Sequence, residues 1–212
     1  MNKNLWLRRI RNMCGLLGGL LPFIAIFSVL LIKDRPAHAL YSISATYYLS
    51  PALAGVLCAA SIVLMCYDGY SKLDSVITTI TGVFGIGIVL FPCTVGWHSA
   101  TDLVGFFQVS MSISNKIHCT CAAIFFCLLA FNSYFLFTKT DDFMEITDNK
   151  KKRNIVYRVC AIGMLVFMIF QVISVSVSWL PGYCTMINEI ALLFFFAVSW
   201  LTKGNALFFR DK

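Results

Sequence analysis

The chain has 212 residues, of which 59% are hydrophobic and only 13% charged. A soluble domain carries about 25% charged residues, so this composition excludes a water-soluble globule and makes lipid the solvent for most of the surface. The formal charge of +7 does not point to nucleic acid, because the basic residues flank apolar runs, where positive charge has a membrane explanation.

Six apolar runs approach the ~20 residues that a membrane helix needs. In chain order they fall at about 14–32, 50–67, 75–92, 117–137, 155–177 and 186–202. The expected fold is all-α: a single domain over residues 1–212, a six-helix transmembrane bundle in a multi-pass integral membrane protein. The first run is longer than a secretory signal core. Lys33 and Arg35 also separate it from the small-residue sequence Ala37-His38-Ala39, so it reads as a retained span. Pro51 opens the second run and Pro92 closes the third, where proline breaks no internal hydrogen bond.

Lys and Arg set the expected orientation. Lys3, Arg8, Arg9 and Arg11 stand at the N-terminus, and Lys72 lies between the second and third runs. Lys139, Lys150, Lys151, Lys152, Arg153 and Arg158 gather around the fourth loop, and Lys203, Arg210 and Lys212 close the chain. Of the 17 basic residues, only Lys33, Arg35 and Lys116 fall on the other side. Positive residues stay cytoplasmic, so both termini are expected inside. The fourth loop, "TKTDDFMEITDNKKKR", reads as a stop-transfer charge cluster with a solvated stretch.

Small residues let membrane helices approach closely. Gly15 and Gly19 are so placed in the first span, Gly55 and Ala59 in the second, and Thr81, Gly82, Gly85 and Gly87 in the third. The first three helices are therefore expected to pack together. The phenylalanines of the fourth and sixth spans, among them Phe125, Phe131, Phe135 and Phe194, are expected to face lipid or fill gaps.

In this topology the first, third and fifth loops face outward. The first contains "LYSISATYYLSP", residues 40–51, rich in hydroxyls and rings. The third spans 93–116, and the spacing of Ser99 and Asp102 ahead of apolar residues predicts a short capped helix there. All three histidines, His38, His98 and His118, fall on this side, and Glu189 lies about one turn into the sixth span. An ionisable residue inside a span is costly and marks function by default. A polar pocket is thus expected just below the outer surface, with candidate ligand-binding residues Ser44, Tyr47, Tyr48, His98, His118 and Glu189. Ser42 and Thr46 are also available to its roof, and His118 is the expected partner of Glu189.

Two chemistries match by residue type. His98, His118 and Glu189 form a His/His/carboxylate set that suits zinc, although HExxH is absent. Ser44, His118 and Glu189 could form a hydrolytic triad, although no GxSxG elbow is present. No motif names a cofactor, and whether the chain is an enzyme stays open. Of nine cysteines, Cys93, Cys119, Cys121 and Cys184 are expected near the outer surface, where Cys184 could bridge to Cys119 or Cys121.

The order of features, an Ile43-Ser44 segment in the loop after the first span and then five further spans, resembles the DRAM/Sfk-type six-helix membrane proteins and their bacterial relatives of unknown function. Ala45 and Thr46 stand where an acidic residue often follows in that group. The resemblance implies a lipid-related role in membrane homeostasis, with membrane lipids as partners. The alternative reading is a homo-oligomeric effector or channel-like protein, for which the intramembrane polar residues Asn132 and Gln171 are the support.

Overall fold

The computed structural model describes residues 3–140, 147–177 and 179–209. The acidic stretch of the fourth loop, residues 141–146, lies outside them, as do Arg210 and Lys212. Six α-helices dominate: α1 (Lys3–Leu30), α2 (Ala52–Met65), α3 (Lys72–Leu90), α4 (Met111–Phe131), α5 (Asp148–Ser176) and α6 (Tyr183–Lys203). All except α2 are long and apolar enough to cross a membrane. The second helix is shorter than expected. Its 14 residues rise about 21 Å, because Pro51 starts the helix and the chain leaves it at Cys66 ahead of a polar turn.

Several helices start earlier than their apolar runs. α1 carries Arg8, Arg9 and Arg11 inside the helix, and α5 absorbs Lys150–Arg153, with the Thr147 side chain accepting from the Lys150 backbone N–H. A capping box starts α3. The Ser71 hydroxyl accepts from the Asp74 N–H, and the Asp74 carboxylate accepts from the Ser71 N–H, which satisfies donors that the first helical turn leaves unpaired.

Each helix packs on its neighbours in sequence, and α6 returns onto α1, closing a ring. Small residues make this seam, but between partners other than those expected. A Cβ added at Gly15 would meet Leu201, one at Gly18 would meet Phe196, and one at Gly19 would meet Ala197. The α1 glycines therefore face α6 rather than α2 or α3. Gly82 and Gly85 do bring α3 onto Ser61 and Met65 of α2, whereas a Cβ added at Gly55 would meet nothing within 4 Å. The phenylalanines divide by position: Phe125, Phe137 and Phe196 are buried, and Phe131, Phe135 and Phe194 are exposed.

Between α3 and α4 the expected short helix is absent. The segment is a β-hairpin, with β1 (Leu103–Val104) pairing antiparallel to β2 (Val109–Ser110). Gly105 (φ +71) and Gln108 (φ 49) adopt left-handed backbone at the turn, which no helix tolerates and which glycine takes without steric cost. The Asp102 carboxylate accepts from Ser99 N–H at 2.9 Å, so the capping-like spacing closes a turn instead of starting a helix. The hairpin packs with the first loop in a small core of Ala45, Cys93, Val95, Val104 and Met111.

The opposite end of the bundle is filled by Trp200, Tyr157 and Phe137. Cations enter this core. Arg11 donates through Nε (3.1 Å) and a terminal nitrogen (2.9 Å) to the Tyr67 hydroxyl. Lys150 and Lys203 both donate to the Phe137 carbonyl, at 2.9 and 3.0 Å. The Lys203 ammonium also lies 5.2–5.8 Å from the rings of Tyr70, Phe137 and Tyr157, within the range of cation–π attraction.

Candidate functional site

The site is built where the first loop crosses the start of α6. Residues 44–48 form a short 3-10 helix, fastened by the Thr46 hydroxyl donating to the Ile43 carbonyl at 2.6 Å. The Met186 N–H donates to the Tyr41 carbonyl at 2.9 Å, pinning the loop to the first turn of α6. One turn further on, the Glu189 carboxylate receives the Ser42 hydroxyl (2.9 and 3.0 Å to its two oxygens), the Ser44 hydroxyl (2.8 Å) and the backbone N–H of Ile43. A Ser-Ile-Ser segment thus wraps the acid with three donors, and charge-assisted bonds of this kind are the strong ones.

Beneath this clasp lies a cavity of about 230 Å³. Its wall is chiefly apolar, with Leu21, Leu53, Phe125, Phe126 and Leu192 among the lining side chains. Ser44, His118, Gln171 and Glu189 are the polar residues on it, together with Cys119. Val172 and Val175 of α5 also line it, yet are 64% and 68% exposed. Cys119 and Ala123 of α4 are likewise both lining and exposed. The cavity therefore opens sideways between α4 and α5.

Of the candidate residues, the structure brings Ser44, His118 and Glu189 to this wall. His118 is not the partner of Glu189. Its Nδ1 sits 3.2 Å from the Ile88 carbonyl and 2.9 Å from the Phe91 carbonyl. α3 ends there, leaving carbonyls without an intrahelical donor, and the ring supplies one. Tyr47 and Tyr48 are absent from the lining. Tyr47 packs against the core of Leu21, Ile43 and Leu53. The Tyr48 hydroxyl donates to the Cys93 carbonyl at 2.8 Å, and burial pushes its phenol pKa up, so it stays a neutral strut between the first and third loops. His98 stands in the roof, its ring 5.2 Å from Tyr48 and its Nδ1 3.1 Å from Asp102.

These positions assemble neither of the two expected residue sets. His98, held in the roof by Tyr48 and Asp102, does not join His118 and Glu189. Among the described residues no three His, Cys, Asp or Glu side chains gather as a metal-holding group. A hydrolytic triad needs histidine between serine and acid, but Ser44 donates directly to Glu189 while His118 Nδ1 is engaged by α3. All nine cysteines are free, so the bridge from Cys184 is not formed. Cys121 faces Gly87 of α3 rather than α6, and burial raises the Cys93 thiol pKa.

Ser42, expected only as a roof residue, and the Ile43 N–H, not anticipated, both bind the Glu189 carboxylate, and Gln171, noted only as a polar residue within an apolar run, proves to be a cavity residue. Asn132 is fully buried. Compared with known proteins, the chain matches no family model, no curated protein and no solved structure.

Proposed function

We propose that this is a six-span integral membrane protein with both termini cytoplasmic, whose cavity lies toward the outer face and binds a lipid or another small amphiphile in membrane homeostasis. The observation that carries the reading is the cavity itself: an apolar chamber among membrane-length helices, roofed by a polar clasp and open at its side. Binding sites are mostly apolar with a few placed polar groups, and this one adds a side door toward lipid tails. Its volume of about 230 Å³ falls below the ~300–1,000 Å³ of pockets that hold a drug-sized ligand. It suits one head and the upper part of a single chain, not a whole two-chain lipid. The basic residues support the orientation, since those gathered around the filled end are the ones assigned to the cytoplasm. The short α2 still reads as a span, because a bilayer thins or flanking residues snorkel around a helix of reduced length.

Two measurements test this. Cysteine labelling in intact membranes should find Lys150→Cys shielded from an impermeant reagent added outside and Thr101→Cys reactive, and the reverse pattern refutes the orientation. Mass spectrometry of protein extracted in a mild detergent should find a copurifying amphiphile. That species should be lost when Ala122, on the cavity wall, is enlarged to Phe; its persistence in that variant removes the cavity as the binding place.

A further inference from the structure

Resting on the reading of an amphiphile cavity, the polar groups of the wall identify which kind of head it takes. Glu189 brings a carboxylate, and no Lys or Arg lines the chamber. The ion pairs of His98 with Asp102 and of Lys151 with Asp148 lie away from Glu189. The Ser44 hydroxyl proton is already committed to Glu189. His118 Nδ1 faces two carbonyl oxygens, which only accept, so that nitrogen carries the proton. In a neutral ring with that proton, Nε2 is a lone-pair acceptor. Gln171 Oε1 is buried with no donor opposite it. The unmet needs of the wall are thus one positive charge and a set of donor hydrogens. A buried charge is stable only when paired, and an ammonium supplies both the charge and three donors.

We infer that the cavity selects a single-chain amphiphile with a protonated amine head, seated between Glu189, His118 and Gln171 with its tail leaving between α4 and α5. An alcohol of equal length offers one donor and no charge. An alkyl phosphate offers charge of the wrong sign.

The wild-type protein carries its own reporter. Cys119 lines the cavity, whereas Cys127, exposed on the same helix, does not. Protein in lipid nanodiscs is titrated with dodecylamine, dodecanol or dodecyl phosphate and alkylated with N-ethylmaleimide, and peptide mass mapping gives the ratio of Cys119 to Cys127 modification. Dodecylamine should protect Cys119 at a concentration about tenfold or more below that of dodecanol, as expected for a desolvated charge pair. Glu189→Gln should abolish that preference. Equal protection by amine and alcohol, or better protection by the phosphate, overturns the amine inference and leaves the amphiphile cavity standing. Protection by none of the three overturns both. If Glu189→Gln fails to fold, the wild-type ranking of the three probes decides alone.

Discussion

At the cavity end of the bundle a single carboxylate is held by two hydroxyls and a backbone N–H over open space. At the other end Arg11, Lys150 and Lys203 are held by a phenol, a shared carbonyl and three aromatic rings, and Trp200, Tyr157 and Phe137 fill the volume. Both ends place charge inside an apolar bundle, where an unpaired ion costs several kcal/mol. The cationic end surrounds its charges with oxygens and rings and then packs tightly. The acidic end hydrogen-bonds its charge and leaves a hollow. Side chains lining a void forfeit dispersion contacts, so the hollow needs a reason that the filled end does not, and the proposed amphiphile is such a reason.

The contrast can be broken most forcefully at the filled end. Trp200→Ala should cost about 3–5 kcal/mol, the usual penalty for emptying a buried aromatic site, read as a large drop in melting temperature of the purified protein. Loss below ~1 kcal/mol means that this end is not the packed half. Glu189→Leu at the other end should cost less, about 1–3 kcal/mol. Ser42 and Ser44 can turn their hydroxyls elsewhere, but the Ile43 N–H is left without an acceptor. The same melting assay reads it, and a stabilised variant would mean that the clasp does not hold the loop.

Volume separates the ends more finely. Ala161→Leu inserts bulk into the filled core and should cost about 1–3 kcal/mol. Ala122→Leu inserts the same bulk into the cavity and should stay within ~0.5 kcal/mol. Equal penalties would erase the distinction between hollow and filled. The smallest effect lies in the roof. The Ser99 N–H and then His98 hold the Asp102 pKa below its ordinary 3.8. Its support of the turn is present above that pH and is lost as pH falls through the lower folded value. Amide exchange at residues 99–104 should quicken only in strong acid, and quickening already near pH 6 would show that the Asp102 carboxylate is not what holds the turn.

The helical, membrane-length character of the chain was legible because twenty apolar residues in a row are a signal that needs no partner. Glu189 was legible for the same reason, being the one acid in its run. Its partner was not, because which face of α6 it occupies depends on how the helices rotate against one another. His118 had the right depth but the wrong neighbour, while Ser42 and Ser44 arrived from a loop 145 residues and more away in sequence. The hairpin was misread because Ser99 and Asp102 satisfy a local rule that the left-handed backbone at Gly105 and Gln108 overrides. Arg11 was counted as a terminal charge, although it lies at a core position one helical turn before Gly15, and only the packing on Tyr67 reveals its place inside the bundle.

The glycine face of α1 meets α6, the sixth helix to be made. A chain inserted from its N-terminus must therefore carry Gly15, Gly18 and Gly19 uncovered while the four intervening helices are made. Only when residues 183–203 emerge does the bundle close, and the same helix brings Glu189 to the waiting Ser-Ile-Ser loop. Closure and site assembly are one event in biosynthesis. A nascent chain arrested before α6 should present an open groove of backbone to lipid or to a chaperone, and it should lack the acidic wall of the cavity altogether.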